Sequence, residues 1–462
     1  MLGVGCFPLK FLYKPIFWSY RATGGLWYWV QRRFTLAGIS VAVGLCVAGA
    51  FGVDIENTVS YQSFALLLAL LLFAGGFSFF FRAKFSVTRR LPRAGTAGQP
   101  LRYRVLVKNL TAKTQAGLTL LENLADPRPT FDNWLAFQLA EGRRVRPFRV
   151  AQRRRKNPFR MATIRAADIP PATADGEVEV RVEILPLRRG VLHFSGVTIA
   201  RPDPFGLFRS FITLAAPQSV LILPRRYPLP PIALPGALRY QEGGVALAAN
   251  IGRSEEFVAL REYRRGDPLR HIHWRSWAKA GKPIVKEFED EFFVRHALVL
   301  DTFDEEPNSE VLEEAVSVAA SFACTILTQE SLLDLLFVGH QSYCFTAGRG
   351  LAHADQMLEI LASVKNCADK NFGVLESLVL NHISAVSGCI CVLQRWDDTR
   401  QKFVEKLKVL NVPLLVLVVV PPGAKKPEAG PMRETPENFH ILEIGHIEEE
   451  LAKLKLSRNI QH

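Results

Sequence analysis

The sequence predicts a multidomain chain in three parts: an N-terminal transmembrane helical hairpin, an antiparallel β-sandwich-like domain, and a C-terminal doubly wound α/β domain. Three observations carry this. Two long runs near the N-terminus lack Asp, Glu, Lys and Arg. The stretch after residue 84 alternates apolar and polar side chains with period two, and from residue 296 apolar strand-like runs alternate with helix-length amphipathic ones. A chain of 462 residues, 48% apolar and 22% charged, holds roughly two or three cores and is not globally disordered.

The charge-free runs are 34–53, FTLAGISVAVGLCVAGAFGV, and 57–81, NTVSYQSFALLLALLLFAGGFSFFF. As helices, each matches a hydrocarbon core of roughly 30 Å. Only DIE separates them, so residues 34–81 read as a hairpin. Residues 1–33 carry Lys10, Lys14, Arg21, Arg32 and Arg33 and no acid; Arg82, Lys84, Arg89, Arg90 and Arg93 follow the second run, while the turn has Asp54 and Glu56. The positive-inside rule then places both termini and the soluble domains in the cytoplasm. Phe7, Phe11, Phe17, Trp18, Trp27, Tyr28 and Trp29 suit the headgroup layer. The competing reading is a signal peptide cut after AGA at 48–50, against which stand the 33 residues before the first run and the second run directly behind it.

The net charge of +13 is concentrated between Arg143 and Arg165, where ten cations and no anion occur. This segment, with Arg153, Arg154, Arg155 and Lys156 at its centre, is a solvated loop or a contact for anionic lipid or an acidic surface. Nucleic acid is the weaker alternative, since no nucleic-acid fold motif accompanies it. The seven cysteines show no paired framework, and Cys389 and Cys391 fall on one face of a strand as packing thiols.

Residues 82–222 form the predicted β domain. QPLRYRVLVKN sets Leu101, Tyr103, Val105 and Val107 against Arg102, Arg104 and Lys108. RPDPFGLFR, 201–209, is a turn, with Pro202 and Pro204 around Asp203 and a permissive Gly206. A Pro- and Gly-rich linker, 223–254, separates this domain from 255–462. There Asp267-Pro268 predicts a helix start and Gly281 its C-terminal cap. Strands are predicted at HALVLD, LLDLLFVG, GCICVLQ and VPLLVLVVV, with helices between them and an edge element and helix at the end.

RPDPFGLFR, LILPRRYPL and especially EFVALREYRRGDPLRHIHWRSWAKAGKPIVKEFEDE, 256–291, resemble the signature of domain-of-unknown-function family 58. The resemblance implies bacterial inner-membrane proteins with a C-terminal domain similar to von Willebrand factor type A domains, often paired with MoxR-type AAA+ ATPases, and it brings no defined biochemical role. Type A domains bind a divalent cation through D-x-S-x-S after the first strand. This chain has DTFDE, with Asp301 in place but Phe303 and Glu305 where the serines would stand. Either Asp301, Asp304 and Asp397, helped by Glu305 or Asp398, form a rearranged Mg2+ site, or the edge holds no metal and Asp301 caps a turn. No other cofactor is expected.

P-loop, H-E-x-x-H and G-x-S-x-G motifs are missing from the sequence. The leading expectation is therefore a non-enzymatic membrane-anchored scaffold or adaptor whose type A-like domain docks a protein, with a MoxR-type ATPase as the candidate. Arg261, Arg264, Arg265, Asp267, Arg270, His273, Trp274 and Arg275 are its candidate contacts, because Trp and Arg favour binding hot spots. One alternative is an enzyme of unknown reaction using His271, His273 and Asp267 as acid/base groups. Another is an anionic-lipid sensor acting through 143–165.

Overall fold

The structure is a computed structural model. It describes residues 7–51, 58–78, 81–126, 128–144, 159–230, 257–265, 269, 272–288, 295–304, 309–327, 332–348 and 351–454. Asp54, Glu56, Arg153, Arg154, Arg155, Lys156, Asp267, Arg270, His271 and Glu305 lie outside the described residues, as do the side chains of Phe7 and Phe11. The chain divides into two compact units: Met1–Arg225 with the short pieces Asp304–Ser309 and Glu359–Asn366, and the remainder from Arg226 onward.

The first unit opens with α1 (Phe7–Arg33), α2 (Leu36–Phe51) and α3 (Thr58–Phe77). Val59–Phe77 is one helix of 19 residues, long and apolar enough to cross a membrane; α2 is as apolar but has 16 residues. The two pack together, a methyl built on Gly49 falling 3.3 Å from the Phe64 ring. Both leave large apolar side chains such as Val43, Phe51, Leu66 and Phe73 exposed, an uncovered surface that in soluble proteins marks a site awaiting a partner phase or partner protein.

Nine strands and a helix follow: β1 (Phe85–Arg90), β2 (Ala94–Thr96), β3 (Leu101–Asn109), β4 (Leu118–Leu124), α4 (Phe131–Arg144), β5 (Ala162–Ile164), β6 (Ala167–Ile169), β7 (Glu177–Pro186), β8 (Gly190–Pro202) and β9 (Arg209–Leu223). They form a four-stranded sheet, β1-β3-β7-β5, and a five-stranded sheet, β2-β9-β8-β4-β6. All pairs are antiparallel except β2 with β9. The alternation in β3 does what period two requires: Leu101, Tyr103, Val105 and Val107 are buried while Arg102 and Arg104 reach Glu183 and Glu179 outside. Val105, Val180 and Ile184 from one sheet share a core with Leu120, Phe194, Ile199 and Ile222 from the other.

Inside that core sits an ion pair. Arg89, which the sequence suggested as part of the cationic flank of the second apolar run, is fully enclosed; its Nη2 lies 2.6 Å from Glu122 Oε2 and its Nε donates to Oε1 at 3.1 Å. Its remaining N–H groups donate to the carbonyls of Ala216 and Gly196 and to Gln218 Oε1, and its guanidinium lies over the Phe194 ring at 4.5 Å. A buried charge survives only when paired and hydrogen-bonded, and both conditions hold.

Aromatic packing and a loop corner help to tie the helices to the β domain. In α1, Tyr13, Phe17 and Tyr20 recur at helical spacing and surround Trp134 of α4, with Phe17 and Trp134 buried. Phe17 is therefore a packing residue, which corrects its assignment to the headgroup layer. The second contact is the RPDPFGLFR corner between β8 and β9. Asp203 is buried and its carboxylate accepts from the backbone N–H groups of Phe205, Leu207 and Phe208, holding the loop shut, while Gly206 takes φ +68°. The closed loop presents the Leu207 carbonyl to Thr35 N–H at 3.0 Å and the Gly206 carbonyl to Thr35 Oγ1. Gly38, one turn into α2, lies so near that a Cβ there would stand 2.0 Å from Leu207 O.

The second unit begins inside the predicted linker: Tyr227 is buried, its N–H donating to Ser321 Oγ at 2.8 Å and its hydroxyl meeting Glu314. Next come the hairpin of β10 (Phe257–Glu262) and β11 (Ile284–Phe288), antiparallel, with α5 (Trp274–Ala280) between them. The main sheet and its helices are β12 (Arg295–Leu300), α6 (Glu310–Leu327), β13 (Leu332–Val338), β14 (Ser342–Ala347), α7 (Leu351–Ser363), α8 (Gly373–His382), β15 (Gly388–Leu393), α9 (Asp398–Val409), β16 (Leu414–Val420), β17 (Phe439–Glu443) and α10 (Ile447–Ala452). Sheet order is β14-β13-β12-β15-β16-β17. All pairs are parallel except β13 with β14, so the predicted parallel sheet carries an antiparallel edge strand that the sequence reading missed. Ala297 and Val299 face a core shared with Leu375 and Val379 of α8 and Phe403 and Leu407 of α9. Leu298 and Leu300 alternate to the other face, along which α6 runs, and that is the doubly wound arrangement.

Candidate functional site

In open α/β sheets the loops beyond the strand carboxyl ends are where ligands bind. Here Asp301 follows β12, Gln394 follows β15, and Asp397 precedes α9, so the topology brings all three to one edge. Asp397 is the N-cap of α9, accepting from Arg400 N–H at 3.0 Å; its extended φ of −96° and ψ of 173° suit that role. The cap turns Arg400 inward. Its Nε donates to Asp301 Oδ2 at 2.7 Å, Nη2 to Oδ1 at 3.3 Å and Nη1 to Asp397 Oδ2 at 2.5 Å. The guanidinium also lies 4.8 Å from the Phe372 ring centre, and the Phe303 carbonyl accepts from Nη2 at 3.4 Å.

Asp301 is wholly buried and its oxygens are spoken for: Oδ1 also accepts from Phe303 N–H at 3.0 Å and Oδ2 from Gln394 N–H at 3.1 Å. Gln394 Nε2 in turn donates to the Asp301 carbonyl at 2.7 Å, locking β12 to β15. Burial works against the charge on Arg400, yet the carboxylates of Asp301 and Asp397 outweigh it and hold the guanidinium above its ordinary pKa.

These residues do not fit a divalent cation. The space between Asp301 and Asp397 is filled by the Arg400 side chain, and among the described residues no group of three or more His, Cys, Asp or Glu is disposed to hold a metal. Asp304 is buried and its carbonyl accepts from Asn366 Nδ2 at 3.3 Å. The Mg2+ expectation at Asp301, Asp304 and Asp397 is thus corrected: the positive charge at this edge belongs to the chain. Phe303, which stands where a serine ligand would, packs edge-on against Phe372 at 5.7 Å and is itself buried. Sequence reading passed over Arg400, whose signal was its place at N3 behind a D-D cap.

The second cluster is the hairpin with α5. Its helix is shorter than predicted: it begins at Trp274, with His273 as N-cap and Ile272 bridged to Val285. The predicted stop is borne out, Gly281 taking φ +66° while its N–H donates to the Trp277 carbonyl at 2.9 Å. His273 Nδ1 lies 2.6 Å from Ser276 Oγ. Trp274 and Trp277 stack at 5.2 Å with their planes 18° apart, and Trp274 remains 66% exposed. Arg264, Arg265 and Arg275 are exposed and Arg261 half-buried, with Arg261 donating to the Glu262 carbonyl at 3.2 Å. Of the expected docking residues, the structure thus collects Arg261, Arg264, Arg265, His273, Trp274 and Arg275 on one small motif.

A doubly wound α/β domain preceded by this hairpin motif is the class of protein the second unit defines. Residues 259–450 match the family described as "Protein of unknown function DUF58". A stretch of 184 residues is 27% identical to "Uncharacterized protein YeaD" of Bacillus subtilis (strain 168), covering 39% of this chain and 44% of that protein, so the match spans less than half of the relative's length. Among solved structures, an ASH/PapD-like domain of human CEP192 aligns at 8% identity with a TM-score of 0.17, over 30% of this chain and 85% of that one. A GH20 exo-β-N-acetylglucosaminidase from Vibrio harveyi aligns at 9% identity with a TM-score of 0.12, over 74% and 57%. Neither likeness describes the fold of this chain.

Proposed function

We propose that the protein is a non-enzymatic adaptor anchored in the bacterial inner membrane, whose second unit, a von Willebrand factor type A-like domain, docks a protein partner, a MoxR-type AAA+ ATPase being the candidate. The observation that carries this reading is the stacked Trp274–Trp277 pair, half open to solvent, on a motif that also carries the exposed Arg264, Arg265 and Arg275. Exposed tryptophan and arginine on one small motif are the composition that concentrates binding energy in interfaces. The type A likeness is supported by the strand order, which in chain order reads 3-2-1-4-5-6 with the third strand antiparallel. Anchoring is supported by α3 and by the exposed apolar faces of α2 and α3, which as an inserted hairpin put both units on the cytoplasmic side.

The test is affinity purification of the full chain from solubilised membranes, comparing the wild type with Trp274→Ala and Arg275→Glu. Both variants should lose the co-purifying ATPase while keeping their membrane fraction and unfolding midpoint. Recovery of the same proteins at the same yield from all three preparations sinks the reading. For hot-spot residues the expected loss is at least about 2 kcal/mol, some thirty-fold in affinity.

A further inference from the structure

We infer that α1 lies in the headgroup layer of the membrane as an interfacial helix, with its free face against lipid and its other face clamping the β domain. This rests on the membrane anchoring by α2 and α3 proposed above. Two stripes run along α1. Tyr13, Phe17 and Tyr20 meet α4, as described. Trp18, Ala22, Leu26 and Trp29 recur at i, i+4, i+8 and i+11 on a different face, all exposed, with Trp18 at 68%, Leu26 at 63% and Trp29 at 48%. A water-facing helix would not spend its open face on two indoles and a leucine, and the interfacial layer is where an indole is half wet, half dry.

What covers this stripe follows from its surroundings. At its C-terminal end α1 meets α2 in an apolar hollow: Val30 of α1 and Phe34, Ile39, Val43 and Cys46 line one concave apolar surface. Whatever solvates the outer face of α2 therefore also touches α1. On the stripe's flank Thr23 Oγ1 donates back to the Ser19 carbonyl at 2.8 Å, so that hydroxyl is closed within the helix. The charge is also sorted. Residues 1–33 contain no acid, Lys14 and Arg21 lie beside the α4-facing stripe, and Arg32 is held by Tyr28 and by Asn123 of β4 at 2.7 Å. Cations flanking an apolar stripe, directed toward the protein body and the headgroups, fit an anionic lipid surface. The polar anchor of α1 on the β domain then fixes that domain flush with the bilayer.

Trp18 decides the matter, because it lies on the order of 20 Å along α1 from the start of α2. A helix rising into the cytoplasm carries it away from lipid, whereas a helix in the interface keeps it there. The full chain is placed in nanodiscs of phosphatidylcholine and phosphatidylglycerol whose acyl chains are either plain or dibrominated, bromine quenching indole emission at contact range. The emission of each residue is taken as the difference between wild type and Trp18→Phe, or wild type and Trp29→Phe, with Trp18→Tyr as a second replacement. The Trp18 emission is expected to be lost in brominated discs to the same extent as that of Trp29. Trp18 emission equal in both lipids beside a quenched Trp29 overturns the inference and leaves the anchor standing; this is also the outcome if a protein or a second copy covers the stripe. Failure of the chain to co-purify with the discs overturns the anchor and the inference together.

Discussion

At the scale of single residues, two arginines do work that their sequence context disguises. Arg89 and Arg400 are each enclosed, each held by carboxylate and each laid against a phenylalanine ring. Removing one partner of such a pair strands the other charge in a dry place, which costs about 3–5 kcal/mol. Arg400→Met is therefore expected to lower the unfolding free energy of the second unit by that amount, read from denaturant titration of the full chain in detergent. Adding Asp301→Asn should restore a large part of it, since the stranded charge is then gone. A double variant no more stable than Arg400→Met would show that the loss comes from packing. Neither arginine was legible in the sequence as a buried residue. A hydrophobic pattern marks positions as inside by apolarity, and an arginine in "VTRR" or "DDTRQ" reads as surface until the partner carboxylate, 33 or 99 residues away, is known.

At the scale of elements, the legible parts were those with strong periodicity. β3, β12, β15, β16, α6 and α9 fall where alternation or helical spacing put them, because burial on one face enforces the pattern. α4, α8 and β14 were missed. α4 follows a Pro-rich stretch and ends in the cationic run, and β14, burying alternate residues on an edge, carries too weak a signal over six residues. The helix start expected at Asp267-Pro268 lies outside the described residues, and α5 begins only at Trp274 because Ile272 is claimed by the bridge to Val285. The corner at 201–209 was recognised as a turn and its purpose was not, since a turn's docking partner cannot be read from the turn. The contact with Gly38 supplies a test of that purpose. Gly38→Ala places a methyl against a backbone carbonyl with no room to yield, so a destabilisation of about 1–3 kcal/mol is expected for the first unit, while Gly24→Ala on α1, where space is open, should be neutral. Equal unfolding midpoints for the two variants would count against a tight joint.

At the scale of the whole molecule, pH bears on the second unit through His296. It is 3% exposed at the foot of β12, and burial pushes its imidazole from 6.5 to about 4. Between those values the unfolded chain binds a proton that the folded one does not, so stability is full above pH 6.5 and falls as the pH drops toward 4. From pH 7 to pH 5 this single group should remove about 2 kcal/mol. His296→Leu should lack that component, making its decline over the same interval shallower than that of the wild type in parallel denaturant titrations. Superimposable pH profiles would refute it.

The guanidinium at the sheet rim has one more consequence. An ion borrowed from solution comes and goes with its concentration and can be stripped by a chelator, so a rim that depends on one has an on and an off state. A charge covalently part of the polypeptide has no off-rate. Asp301 and Gln394, at the ends of β12 and β15, are therefore held together by groups of the chain itself, and their arrangement needs no ion from solution.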